Sequence, residues 1–133
     1  GNQFSVLMNK ESPLPSERFV AFVEERLGIH PIAWPSSTKP LITRVAVMGG
    51  SGDGMCANAV SSGADAFVTG EIGYHTRLDY GESILLVDAG HRSTELPVLE
   101  KIAEYIRNSK CGGDIDISVF TGDNSWKRDG FAF

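Results

Sequence analysis

The residues best suited to chemistry form the octapeptide Asp88-Ala89-Gly90-His91-Arg92-Ser93-Thr94-Glu95, which sets an imidazole four positions ahead of a carboxylate. The residues before it, Ile84-Leu85-Leu86-Val87, are an apolar run that suits a strand buried on both faces, and Pro97 fits the first turn of a following helix. His91 and Glu95 are therefore expected to flank the turn at a strand's carboxyl end, joined as a loop clasp rather than along a helix. Ligands of open parallel sheets bind outside such ends, so the pair is a candidate for metal binding or acid/base work. Asp88 is either an outer partner of His91 or a strand-end residue that bonds the backbone.

Two further turns supply neighbours. Thr69-Gly70-Glu71-Ile72-Gly73-Tyr74-His75 again places a carboxylate and an imidazole just past an apolar strand, which makes Glu71 and His75 candidate catalytic residues. Two histidines and two glutamates on adjacent turns offer the mixed N and O donors that a divalent ion takes from several segments. In Gly49-Gly50-Ser51-Gly52-Asp53-Gly54, four of six residues are glycine. Such a loop lets backbone N–H groups approach an anion, so Gly49, Gly50, Ser51 and Gly52 are candidate ligand-binding positions. The same glycines also suit a tight turn with close helix packing. Gly52, Gly54 and Ala57 match a short dinucleotide-binding spacing with Glu71 19 residues beyond Gly52, a pattern that recurs by chance. Ser51, Ser93 and Cys56 lack the local context of a nucleophile and read as turn or packing residues.

These turns need strands and helices to hold them. An apolar stretch at residues 4–8 is followed by a segment with Pro13 and Pro15, and Ser16 is placed to cap a helix over residues 16–27 that Gly28 ends. Phe19, Val20, Val23 and Leu27 share one face of that helix. Residues 31–40 hold three prolines and read as a connection with a brief extended piece at residues 32–34. Strands are expected at residues 45–48, 66–68, 84–87 and 115–120, with helices to Ser62, over residues 74–80 and over residues 94–108. The last carries Val98, Leu99, Ile102 and Ile106 as its apolar stripe. Alternating strands and helical crossovers mean a three-layer α/β domain with a mostly parallel sheet of four to five strands. Right-handed crossovers set every strand-to-helix turn on one sheet edge.

A chain of 133 residues with 41% apolar content suits one core, so residues 1–40 are taken as a leading helix and connection and residues 41–133 as the core of a single domain. No transmembrane run or signal-peptide pattern is visible, which sets the expectation of a cytoplasmic protein. Cys56 and Cys111 are too few for a disulfide framework. Twelve basic against seventeen acidic residues give a net charge of −5, which argues against nucleic acid bound through a wide positive face. The tail Trp126-Lys127-Arg128-Asp129-Gly130-Phe131-Ala132-Phe133 reads as a segment docking on the core.

Residues 45–52, Gly63-Ala64-Asp65 through Thr69-Gly70-Glu71 to His75, the octapeptide from Asp88 to Glu95 and the Phe131-Ala132-Phe133 ending together resemble the C-terminal half of the Nif-three-like dinuclear metal-centre family, whose members include GTP cyclohydrolase 1 type 2 homologues. The resemblance implies that His91 and Glu95 are metal ligands and that His75 borders the site. It also implies divalent ions as cofactors (Zn, Mn, Mg or Fe), ring-like homo-oligomers and metal-dependent hydrolysis of a small nucleotide-like or phosphate-bearing substrate. The family's remaining ligands, two adjacent histidines and an aspartate, belong to an N-terminal half that this chain does not match, and His30 has no histidine neighbour. A weakened ion site is therefore expected, and a non-catalytic binding or regulatory module of the same fold is the alternative. A face left uncovered by the other half would favour self-association.

Overall fold

A computed structural model describes residues 8–110 and 115–120. Contacts divide the chain into two compact units after Glu95. In the first unit, strands β1 (Met8–Pro15), β2 (Ile32–Trp34), β3 (Leu41–Val47), β4 (Ala66–Thr69) and β5 (Leu85–Asp88) form one sheet in the order β1-β3-β4-β5-β2. The three central strands are parallel, and both outer strands run antiparallel to their neighbours. Helices α1 (Ser16–Leu27), α2 (Cys56–Ser61, led by a 3₁₀ turn at Asp53–Met55) and α3 (Tyr74–Tyr80) complete the α/β architecture. Helix α4 (His91–Arg107) leaves β5 and runs on into the second unit.

The apolar runs build two cores because successive strand side chains point to opposite faces. Val45, Ala66, Val68, Leu85 and Val87 pack with Phe19 and Val23 of α1 on one face. Ala46, Phe67, Ile84 and Leu86 pack with Cys56 and Ala59 of α2 on the other, where Tyr80 of α3 joins them. The register sets Val68 beside Val87 and Thr69 beside Asp88, so the loops after β3, β4 and β5 leave from one edge.

Several elements depart from expectation. Strand β1 extends through Pro13 and Pro15, which an edge strand tolerates because its outward N–H groups need no sheet partner. Its register shifts between Asn9 and Leu14. Ser16 does not cap α1; its hydroxyl donates instead to the Lys39 and Pro40 carbonyls (3.2 and 3.1 Å), fastening the helix start to the chain entering β3. Gly28 ends α1 with a left-handed φ of 63°, as its position after Leu27 suggests.

Residues 115–120 form no strand. In the second unit, Arg107 reaches the Ile117 carbonyl with Nη2 at 2.7 Å. The stripe of Val98, Leu99, Ile102 and Ile106 stays exposed, whereas Ala103 of the same helix is buried. Residues 4–7 of the N-terminal apolar stretch, Cys111 and the tail from Trp126 to Phe133 lie outside the described residues. Among the described residues no helix is long and apolar enough to cross a membrane.

Asp65, at the entry to β4, holds β3 in place. Its Oδ2 accepts the Thr43 and Arg44 N–H groups, both at 2.9 Å, and Lys39 Nζ lies 3.2 Å from Oδ1. Burial alone would push this carboxyl upward, but the Arg44 and Thr43 N–H bonds and the Lys39 charge outweigh it and hold the pKa below the ordinary value. A group depressed in this way stabilises the fold above its unfolded pKa of about 4 and loses that contribution as pH falls through the folded value. Asp65→Asn is therefore expected to destabilise the protein by about 1–3 kcal/mol at neutral pH. The gap from the wild type should close in acid below about pH 4, as urea melts across pH would record.

Candidate functional site

The loops after β3, β4 and β5 meet at the carboxyl edge of the parallel strands. Helix α4 begins at His91 rather than at Thr94, so His91 and Glu95 are one helical turn apart on a common face instead of spanning a loop. The start moves because Gly90 takes a φ of 81° and its carbonyl accepts the Thr94 N–H at 3.2 Å, the first bond of the helix. Pro97 therefore stands seventh in α4 rather than in its first turn.

His91 lies between two carboxylates. Its Nδ1 is 2.9 Å from Glu71 Oε1, and its Nε2 is 3.0 Å from Glu95 Oε1. The side chains of His91, Glu71 and Glu95 keep 47%, 61% and 53% of their surface open to solvent, so incoming groups can reach them. The hydrogen bond that His91 donates to Glu71, aided by the Glu95 charge and only partly offset by desolvation, raises the His91 pKa above the ordinary imidazole value. Glu71 thus sits beside the ring at Nδ1, where its carboxylate can orient it.

Backbone-to-backbone contact brings these side chains together. Gly50, with φ of 67°, lies against the pair so closely that a Cβ there would come 2.6 Å from Glu95 Oε1 and 3.3 Å from His91 Nε2. A Cβ on Gly70 would collide with the Gly50 carbonyl and lie 2.7 Å from the His91 Cα. A Cβ on Gly49 would be 3.2 Å from the Thr94 carbonyl. The glycines at these positions are required by proximity, one of the two roles open to them on sequence.

Two hydroxyls lock the arrangement. Buried Thr69 accepts the Gly52 N–H at 2.8 Å and donates to the Gly50 carbonyl at 3.0 Å, which also accepts the Gly70 N–H at 2.7 Å. Thr94 Oγ1 accepts the Gly50 N–H at 2.9 Å and lies within donating distance of the Gly90 and His91 carbonyls. The Gly50 and Gly52 N–H groups are therefore spent inside the protein and are not offered to an anion. Ser51, between them, is exposed. The bonds of both threonines, and of Asp53, whose Oδ1 takes the Gly73 N–H at 2.7 Å, join separate loops and are not visible in sequence spacing. A threonine closing an apolar strand run is the signal that marked Thr69.

His75 lies exposed in the first turn of α3, its ring edge-on to Tyr74 with centroids 5.6 Å apart. Arg77, one turn on, stacks its guanidinium over Trp34 at 4.7 Å and Tyr74 at 5.6 Å. Cys56 is fully buried, and burial followed by the nearby Asp53 charge pushes its thiol up to about 11, so it stays protonated at neutral pH.

The donor set can be weighed against a metal ion. With Nδ1 engaged by Glu71, the free ligating atom of His91 is Nε2, an arrangement common where a carboxylate orients a metal-bound imidazole. Nε2 and Glu95 Oε1 are 3.0 Å apart, the spacing of adjacent donors that each lie about 2.1 Å from one ion. Among the described residues, however, no group of three or more His, Cys, Asp or Glu side chains is placed to hold a metal. The pair by itself offers two donor atoms of the types such an ion takes.

The chain is an open α/β domain with a polar cluster at the carboxyl edge of its parallel strands, the edge at which sheets of this class place their ligands. Comparison narrows it: residues 1–125 match the Duf34/NIF3 (NGG1p interacting factor 3) family, and the chain belongs to that family. A "GTP cyclohydrolase 1 type 2 homolog" of Clostridium perfringens is 30% identical over 101 residues, covering 75% of this chain and 38% of that protein. One from Staphylococcus aureus is 31% identical over 123 residues, covering 89% of this chain and 33% of its own length. The crystal structure of a Staphylococcus aureus hypothetical protein superposes with a TM-score of 0.71 at 30% identity, over 87% of this chain and 40% of that one. A Bacillus cereus protein related to NIF3 shares the fold with a TM-score of 0.66 at 24% identity, over 86% and 33% of the two chains. The chain thus spans about a third of the length of the relatives named first.

Proposed function

We propose that this chain supplies His91 and Glu95 to a divalent-metal site and takes part in hydrolysis of a nucleotide-like or phosphate-bearing small molecule. The observation that carries the reading is the His91 ring, held at Nδ1 by Glu71 while Nε2 and Glu95 Oε1 stand 3.0 Å apart. The names borne by the relatives support the nucleotide-like class. An ion of this kind, when bound, supplies Lewis acidity and a water of lowered pKa. Glu71 keeps the imidazole turned toward the ion. His75, exposed at the start of α3, is the group available to move a proton or to orient substrate. Water, a further segment or a second copy of the chain completes the ligand shell, in keeping with assembly into homo-oligomers in the cytoplasm.

Metal content of the purified protein, with Co²⁺ or Zn²⁺ titration, tests this. His91→Ala and Glu95→Gln are each expected to weaken uptake by more than the roughly 10–100-fold that loss of an outer-shell partner costs. Equal, low uptake in all three proteins would remove the site. The pH dependence has a defined sign. Glu71 and Glu95 raise the His91 pKa, so protons compete for Nε2 into a range above the ordinary imidazole value, and uptake should fall as pH drops through it. A nucleotide panel with added Mn²⁺, Zn²⁺ or Mg²⁺ separates the alternative: chelator-sensitive turnover supports the hydrolase, whereas ligand-induced stabilisation without turnover supports a binding module of the same fold.

A further inference from the structure

Glu71 and His91 come from different turns, and the contact between them is half open to solvent on both sides. Exposed ion pairs of this kind are too weak to hold two loops at a fixed separation. Something less exposed must set the spacing, and Asp88 stands in the right place. It is the last residue of β5, only partly exposed, and sits in register with Thr69, the last residue of β4.

The two oxygens of its carboxylate are divided between the two turns. Oδ2 accepts the Ile72 N–H at 3.1 Å, next to Glu71, and Oδ1 accepts the Gly90 N–H at 3.0 Å, next to His91. Between them the Ala89 N–H donates to the Thr69 carbonyl at 2.9 Å, which extends the sheet pairing up to the point where the turns diverge. Hydrogen bonds to an ionised carboxylate are shorter and stronger than neutral ones, and each here is one residue away from a side chain of the cluster.

We infer that Asp88 is a positioning residue whose divided carboxylate fixes the separation of the Glu71 and His91 turns and thereby selects the His91 tautomer with hydrogen on Nδ1. Leucine, asparagine and serine cannot replace it. Leucine accepts nothing, a serine hydroxyl is a single short acceptor site, and the amide of asparagine turns a donor toward one of the two N–H groups. The tautomer depends on this spacing because two carboxylates compete for the ring's one hydrogen, Glu71 Oε1 at 2.9 Å from Nδ1 and Glu95 Oε1 at 3.0 Å from Nε2: with the Glu71 turn held in place the hydrogen sits on Nδ1, and with it released Glu95 draws the hydrogen to Nε2. The effect of Asp88 on an ion rests on the proposed metal site, while its effect on the imidazole does not.

The experiment uses ¹⁵N chemical shifts of the histidine rings in the full chain, well above the imidazole pKa, with His91 assigned by its loss in His91→Ala. The wild type is expected to show His91 as a single tautomer protonated on Nδ1. Asp88→Asn, and Asp88→Ala beside it, should show a mixture of both tautomers and bind Co²⁺ at least tenfold more weakly. Asp65→Asn serves as the control, because it loosens a strand-end carboxylate of similar kind away from these turns. A tautomer unchanged in Asp88→Asn, or mixed equally in Asp65→Asn, would overturn the assignment. Should no protein take up Co²⁺, the metal site fails while the tautomer result still decides the role of Asp88.

Discussion

Replacing Gly70 by alanine is expected to destabilise the protein by about 3 kcal/mol, the upper end of what overpacking costs. The added methyl has no room. Its neighbours would be the Gly50 carbonyl, the Gly50 carbonyl carbon at 2.8 Å and the His91 Cα at 2.7 Å, all of them backbone. A side-chain end can swing aside, but backbone pinned by the Gly70 N–H bond to Gly50 and by the start of α4 cannot. Relief requires the β3 loop to part from the β5 turn, so metal uptake should fall together with the melting temperature, by roughly 10 °C for a domain of this size. Gly50→Ala offers the contrast. There the nearest atom is Glu95 Oε1, the end of a flexible side chain, and the remaining cost is an L-residue at φ of 67°, about 1–2 kcal/mol. The expected result is a modest thermal shift with ion binding lost out of proportion, and thermal melts paired with metal titration of both variants separate the two cases.

The second large effect is expected from Phe67→Ala, about 4 kcal/mol by urea unfolding. Phe67 is 1% exposed at the centre of β4, itself the central strand of the sheet. It shares one buried cluster with Ala46, Cys56, Ala59, Ala64, Ile72, Ile84 and Leu86. Three of these are alanines, whose short side chains leave much of the cluster's volume to the phenyl ring. They cannot reach inward to refill it, so the cavity persists and the cost falls toward the high end for such truncations. The unfolding midpoint should move while the slope of the transition stays near that of the wild type. A loss under about 1 kcal/mol would mean that α2 collapses onto the sheet.

What the sequence disclosed follows from where its signals are local. The apolar runs before Thr69 and Asp88 and the face of Phe19 and Val23 announce buried strands and an amphipathic helix, and the sheet and α1 stand where those runs place them. The Asp88 to Glu95 segment and Glu71 were legible as polar groups at strand ends. Strand β1 was not, because Pro13 and Pro15 argue against a strand until its edge position is known, and pairing with β3 is a long-range fact. Residues 115–120 failed in the opposite sense: their alternation suits a strand, but a strand needs a neighbour. The start of α4 differs because Pro97 suggests a first turn near Thr94, whereas the Gly90 backbone and the Thr94 hydroxyl set the start three residues earlier, at His91. The bonds of Thr69, Asp53 and Asp88 Oδ2 join residues 16 to 20 positions apart, beyond the range of spacing rules.

The three loops at the sheet edge share their hydrogen bonds in a closed circuit. Gly50 is tied to Gly70 and Thr94, Gly52 to Thr69, Ile72 and Gly90 to Asp88, and Gly73 to Asp53. Moving any one loop breaks its bonds to both of the others. The amides of Gly50, Gly52, Gly70 and Ile72 are therefore expected to open together and to exchange with deuterium at a common free energy, and a ligand that grips any one loop should slow exchange in all three.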